Sequence, residues 1–342
     1  MKILFMTPEC SNDVSWMSMH HLEQAVGGIA ECAWAGPGHP LHVKGENLND
    51  TVRRVMPGAD WVIVHEAGQN KFPHSIVIPR KRIYRIAFLT TDAHWNFPHW
   101  AEKLNADKWD AVLMCTTRTA MVALPKLRKE KLRFITVEPD YYLKNVEAPI
   151  FHLAQSVNTE MFKPSDCLKE HDVSFLGAHS ARYYPMRQDI WGALPSLAIH
   201  NKWRLLIRGA PPGVSLVSRN IDDLTRKGYL VGGKYAEVLA LSKTLIFSTG
   251  IFRYAVKKFV EGMACRTLCL SDAPLVAEEL HLILDWNFIE ISRNNWRERL
   301  TYYLKHDGER EEIAENGYQT VLKYHTCEVR AKQMVEFLEE HS

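Results

Sequence analysis

Thr249-Gly-Ile-Phe-Arg-Tyr-Ala-Val-Lys-Lys-Phe-Val-Glu-Gly-Met-Ala-Cys-Arg-Thr-Leu-Cys-Leu-Ser-Asp272 is the stretch that decides the fold. The run that leads into it, Thr244-Leu-Ile-Phe-Ser-Thr249, is continuously apolar and reads as a buried strand. Lys257 to Ala264 reads as the start of a helix that carries one acid, Glu261, among apolar residues. Thr267-Leu-Cys-Leu-Ser271 reads as a second buried strand. Strand, helix and strand in this order make a parallel crossover. A lone carboxylate near the ends of such strands stands where α/β proteins bind the sugar ring of a nucleotide.

The same alternation extends in both directions. Expected strands are Ile3–Met6, Trp61–His65, Arg85–Thr90, Ala111–Thr116, Phe134–Val137 and Ile150–Leu153, then Val173–Gly177, Arg204–Arg208, Leu245–Ser248 and Leu268–Ser271. Several lack apolar–polar alternation, as strands covered on both faces do. The chain is therefore expected to be α/β, built of doubly wound, Rossmann-like sheets. The polar stretch Gln155-Ser-Val-Asn-Thr-Glu-Met-Phe-Lys-Pro-Ser165 separates two such series. It divides the chain into an expected domain 1–155 and a second domain 156–342. Two helices, about Gly308–Lys323 and Thr326–Glu340, are expected at the end. In the last, Ala331, Met334, Val335 and Leu338 share one face at helical spacing, with Thr326 as N-cap.

The 342 residues suffice for two cores, and a net charge of +2 does not point to nucleic acid or membrane as a partner. The basic residues form no stripe interleaved with aromatics, so a nucleic-acid acceptor is not expected. The seven cysteines include no Cys-x-x-Cys pair and read as reduced side chains of a cytoplasmic protein. No apolar run approaches the ~20 residues of a membrane span. There is no Asp-x-Asp pair, no His/Cys set with zinc spacing, no P-loop, no Gly-x-Gly-x-x-Gly and no Gly-x-Ser-x-Gly elbow. These absences argue against an NTPase, a typical dehydrogenase and an α/β-hydrolase.

Several segments resemble GT-B glycosyltransferases of group 1, and among them the CgeB-like (spore maturation protein-like) group. Phe151-His-Leu-Ala-Gln-Ser-Val-Asn-Thr-Glu-Met-Phe-Lys-Pro164 is similar to the interdomain signature of those enzymes. Asp172–Gly177 followed by Arg182–Arg187 resembles the opening of their donor domain, and Trp203–Gly209 the next strand and turn. Glu261-Gly-Met-Ala-Cys265 resembles the ribose-binding helix, and Tyr324–Ala331 the entry to the terminal helix. Many such enzymes carry a Glu-x7-Glu pair. Here Arg253 stands at the first glutamate, and Arg266 replaces the glycine after Ala-Cys.

The resemblance implies two Rossmann-like domains facing across a cleft, an N-terminal one for the acceptor and a C-terminal one for the donor. It implies a metal-independent glycosyltransferase of hexosyltransferase type that takes a nucleotide-diphosphate sugar as donor substrate and needs no further cofactor. Glu261 would hold the ribose. The diphosphate would be met by Gly177, Arg182, Arg187, Arg208, Arg253, Lys257 and Lys258, all at expected strand ends or helix starts, where cations and helix N-termini neutralise an anionic leaving group. Gly27 and Gly28 resemble a glycine loop for phosphate or acceptor. Asp92 or His94, directly after the strand ending at Leu89, is the expected general base, with His20-His21 a second option. Trp95, Phe97 and Trp100 could stack on a sugar or pack in a helix. Two alternatives stay open: a nucleotide-sugar epimerase, and a degenerate protein that binds a nucleotide sugar without transferring it. Arg253 and Arg266 favour the latter.

Overall fold

Residues 2–154 supply six parallel strands whose side chains alternate between two buried faces. The computed structural model describes residues 1–65, 77–91, 97–115, 120–123, 135–138, 141–210, 220–251 and 253–342. They divide into two units. The first holds Met1–Ser11, Met19–Ala154 and Glu328–Ser342, and the second Asn12–Ser18 and Gln155–Cys327.

In the first unit, β1 (Lys2–Met6), β2 (Glu31–Trp34), β3 (Trp61–His65), β4 (Arg85–Thr90), β5 (Ala111–Met114) and β8 (Ile150–His152) pair in the order β2-β1-β3-β4-β5-β8. Every pairing is parallel. A separate antiparallel pair joins β6 (Ala120–Ala123) to β7 (Ile135–Glu138). Leu4, Val62, Val64, Ile86, Phe88 and Val112 face α2 (Leu48–Val55), α3 (Phe97–Asp107) and α4 (Tyr141–Asn145). Their neighbours Ile3, Phe5, Trp61, Ile63, Ala87 and Leu113 face the opposite side. There they meet Leu22 and Val26 of α1 (Met17–Gly27) and a helix from the far end of the sequence, α11 (Cys327–Glu340). This two-sided burial explains why these strands read as unbroken apolar runs. One acid lies inside. Glu23 of α1 is 5% exposed and accepts a hydrogen bond from Trp34 Nε1 at 3.0 Å. Burial pushes its carboxyl up to about 8.

The second unit has the sheet order β10-β9-β11-β12-β13, again all parallel. Its strands are β9 (His171–Leu176), β10 (Leu205–Arg208), β11 (Ser242–Ile246), β12 (Leu268–Ser271) and β13 (Ile289–Glu290). Val173, Phe175, Ile246, Leu268 and Leu270 pack against α5 (Pro185–Asn201), α9 (Trp296–Lys305) and α10 (Asp307–Tyr324). α6 (Ile221–Arg226) leads to two helices of the other face, α7 (Gly232–Ala240), whose Leu239 O meets Thr267, and α8 (Lys258–Ala264), whose Gly262 lies against Cys269 and Leu245. That face tolerates polar strand residues because each is paired. Ser174 Oγ lies 2.5 Å from Ser242 Oγ, and Thr267 Oγ1 donates to Leu239 O at 2.6 Å.

The later part of the chain between β1 and α1, from Asn12 on, belongs to this unit rather than the first. Asn12 Nδ2 donates to Asp222 Oδ2 at 2.7 Å, and Ile221 N donates to Asn12 O at 3.1 Å. The terminal helices occupy the positions expected from their periodicity. The short edge strands β2 and β13 and the strand β6 were not anticipated; β7 falls on the expected strand Phe134–Val137 but pairs with β6, outside the parallel sheet.

Candidate functional site

Where parallel strands end, their loops gather, and in the second unit the loops after β9 and β11 meet the start of α8. The chain leaves β9 through Gly177, whose φ of +112° suits glycine. A Cβ there would stand 2.9 Å from Lys258 Nζ, so the absent side chain is the space that the lysine occupies. Lys258 is half-buried. Among the described residues its ammonium has no hydrogen bond and no ion pair. Burial, and then the nearby Arg187, pull it down to about 8.

Arg187, on the first turn of α5, is 5% exposed. Nε donates to Ser248 O at 2.7 Å, Nη2 donates to the same oxygen, and Nη1 donates to Ala178 O at 3.3 Å. Its guanidinium carbon lies 4.0 Å from the centroid of the Tyr184 ring. Burial lowers its pKa, and Tyr184, Tyr254 and Asp272 oppose that shift. Arg187 thus bridges the loops after β9 and β11 by their carbonyls. Asp272, after β12, anchors the second loop by accepting from Thr249 N at 2.7 Å and Thr249 Oγ1 at 2.6 Å. Gly250, at φ +79°, completes the turn where any side chain would strike Tyr184. Beside these groups the buried Ser248 Oγ has no hydrogen-bond partner among the described residues.

Glu261 sits one turn into α8, on the same face as Lys258. Tyr235 of α7 donates its hydroxyl to Glu261 Oε2 at 3.2 Å. Among the described residues these two cations have no carboxylate in ion-pair range, and a half-buried acid stands one turn away, groups that suit an anion and a hydroxyl respectively.

The structure brings Gly177, Arg187, Lys258 and Glu261 together. Lys257 lies beside them, but its Nζ donates to Ser15 O at 2.7 Å. Arg253 is exposed in a left-handed conformation, φ +49°, with Nη2 donating to Ala273 O at 3.2 Å. Arg182 and Arg208 are exposed too, the first over the Tyr183 ring and the second donating to Ile207 O. Gly27 and Gly28 do not form a loop after β1. Gly27 ends α1, and Gly28 N closes its last turn on Gln24 O and Ala25 O. With Met1, Lys2, Glu31 and Asp60 they line a hollow of about 650 Å³ at the amino ends of β1 to β3, the end of a parallel sheet opposite to where ligands usually sit. Asp92 and His94 lie outside the described residues, as does Trp95. Tyr235 was missed, since its partner is 26 positions away and nothing local marks it.

Among the described residues no three His, Cys, Asp or Glu side chains are grouped so as to hold a metal ion, and no helix is long and apolar enough to cross a membrane.

Residues 177–336 match the family model described as "Glycosyl transferase-like", a match that begins at Gly177 and contains Arg187, Lys258 and Glu261. The sequence matches no curated protein. Among solved structures, Anabaena Alr3699/HepE in complex with UDP is similar over 99% of this chain and 100% of its own, at TM-score 0.64 and 11% identity. Its complex with UDP-glucose gives 0.63 and 10% over the same shares. Sucrose-phosphate synthase from Thermosynechococcus elongatus gives 0.61 and 11%, over 99% of this chain and 98% of that one. A glycosyltransferase from Rickettsia africae gives 0.59 and 12%, over the same shares as the synthase. At such identities these likenesses concern the fold. The chain has the GT-B fold, and its residues 177–336 are similar to the glycosyl transferase-like family.

Proposed function

We propose that the protein is a glycosyltransferase that takes a nucleoside-diphosphate sugar as donor and passes the sugar, a hexose, to an acceptor hydroxyl. The second unit takes the donor and the first takes the acceptor. The observation that carries the reading is Lys258, a half-buried ammonium beside a buried guanidinium, with no anion among the described residues ion-paired to either. A diphosphate supplies the missing charge. As the glycosidic bond breaks, negative charge grows on the departing β-phosphate, and two fixed cations stabilise it without reorganising. On this reading they do the electrostatic work that a divalent metal does in other transferases. Glu261, a turn further along α8, accepts from the ribose. That a fold neighbour is known with UDP and with UDP-glucose agrees with this donor class.

Thermal unfolding with UDP, GDP and ADP tests it. A ligand at a hundred times its Kd stabilises the native state by about 2.7 kcal/mol. The transition should therefore rise by roughly 5–10 °C with at least one of the three. Lys258→Met should remove the rise and keep the far-UV spectrum. No rise with any of them ends the proposal. A second reading, binding without transfer, is favoured by Arg253 standing where the resemblance expects a glutamate. A protein that binds a nucleotide sugar but neither hydrolyses nor transfers it would be of this second kind.

A further inference from the structure

We infer that the carboxyl ends of β1 and β2, in the first unit, form a binding site for the hydroxyls of an uncharged sugar. That this sugar is the acceptor rests on the function proposed above. β1 runs on into Thr7-Pro-Glu-Cys10, and β2 into Ala35-Gly-Pro-Gly-His39. The two stretches lie backbone on backbone. Glu9 N donates to Pro37 O at 2.8 Å, and Gly36 rests on the Thr7 backbone, where no Cβ would fit. Gly38, at φ +91°, lies against Glu9 Cβ. Thr7, Glu9 and His39 are thereby fixed at the end of a parallel sheet where ligands collect. α1 brings His20 and, one turn on, Glu23 to the same place.

The polar atoms of this group do not satisfy one another. His39 Nε2 is closed off from solvent and has no hydrogen-bond partner among the described residues. Thr7 is 2% exposed. Its Oγ1 stands close enough to the Glu23 carboxyl to oppose the rise in its pKa, yet outside hydrogen-bond geometry. The half-buried His20 ring makes no hydrogen bond among the described residues and meets the His21 ring edge-on at 5.9 Å. Glu9 is exposed, its Oε1 accepts from Ser11 N at 2.8 Å, and His20 and His39 are near enough to favour its charge. Hidden polar atoms without partners are costly, and several in one place mark where a guest completes them. The group also sets the chemistry of that guest. Glu23 keeps its proton up to about 8, and burial favours the neutral ring of His39, so the floor is uncharged. Glu9 at the mouth repels an anion. Among the described residues these acids and imidazoles are not grouped so as to hold a metal ion. What remains is donors and acceptors side by side. Neighbouring hydroxyls of a sugar ring match that pattern, since each gives one hydrogen bond and takes another.

Saturation-transfer NMR of the full chain tests this, with the methyl glycosides of glucose, galactose, mannose and N-acetylglucosamine. At least one should saturate, and the same glycoside should move the imidazole resonances of His20 and His39. Thr7→Val keeps the shape and removes the hydroxyl, so it should weaken that glycoside at least fivefold. His39→Phe, which removes Nε2, should do the same, and it serves as the second variant if Thr7→Val does not fold. No saturation by any of the four, or equal affinity in wild type and both variants, would overturn the inference. The thermal rise with UDP, GDP or ADP reads the donor site separately. A rise without glycoside binding would overturn this site alone. Glycoside binding without a rise would end the donor reading and leave a sugar site in the first unit.

Discussion

Glu23 and Lys258 are two ionisable side chains moved in opposite directions by burial, and each makes a measurable claim. Glu23 holds its proton up to about pH 8 in the native state, against an ordinary value of 4.5. Between those values the unfolded chain releases a proton that the native protein keeps. Its contribution is therefore fully present below pH 4.5 and is lost as the pH rises to 8. The slope approaches 1.4 kcal/mol per pH unit at most. His39, pulled down by burial, acts in the opposite sense, so the informative quantity is the difference between wild type and Glu23→Gln. Urea midpoints at pH 5, 6.5 and 8 should show the variant gaining on the wild type with each step; parallel curves would refute the buried neutral acid. For Lys258 the sign concerns binding. Below pH 8 the ammonium is charged, and above it the free protein loses the charge that the diphosphate needs. Affinity for a nucleoside diphosphate should fall about tenfold from pH 7 to 9.5, and Lys258→Arg should flatten the decline. Of this site, Glu261 and the lysine beside it were legible through resemblance to a known helix. Arg187 was legible as a cation at a helix start, but not as a clamp on the Ser248 carbonyl. Such a role depends on which loop passes beside it, and that is decided by residues far along the chain.

Among the elements, α7 and α8 end on one side chain. Lys169 Nζ donates to Ala240 O at 2.8 Å and to Cys265 O and Arg266 O at 3.3 Å, satisfying carbonyls that close those two helices. Lys169→Met should cost roughly 1–3 kcal/mol in urea unfolding, because it strands half-buried acceptors. A loss below a few tenths would mean that water replaces the ammonium. The elements most legible in the sequence were β1, β3, β4 and β9, whose apolar runs are buried on both faces. The strand β2 escaped notice because Glu31-Cys-Ala-Trp34 sits at the sheet edge, partly exposed, and holds no β-branched residue. Two-residue β13 carries too few side chains to show any period.

At the scale of the molecule, the division into units does not follow the sequence in two halves. The stretch Glu328–Ser342 returns to the first unit. There Ala331, Met334, Val335 and Leu338 of α11 cover one face of the six-stranded sheet, and Trp61 Nε1 donates to Leu338 O at 3.1 Å and Ser342 Oγ at 2.9 Å. The apolar stripe at helical spacing was legible; the sheet that it covers was not, because periodicity names a buried face and never its partner. Leu338→Ala should destabilise the first unit by about 2–5 kcal/mol. Hydrogen exchange should quicken in β1 and β3 while the nucleotide-induced protection of α8 stays as it was. Uniform quickening through both units would instead show that they melt as one.

The route of α11 also sets an order of events during synthesis. The ribosome makes the sheet of the first unit early, yet one of its faces has only α1 upon it until residues beyond Cys327 emerge. By then every segment of the second unit has been translated. A nascent chain arrested before α11 therefore carries a sheet with part of one apolar face bare, the kind of surface that chaperones hold.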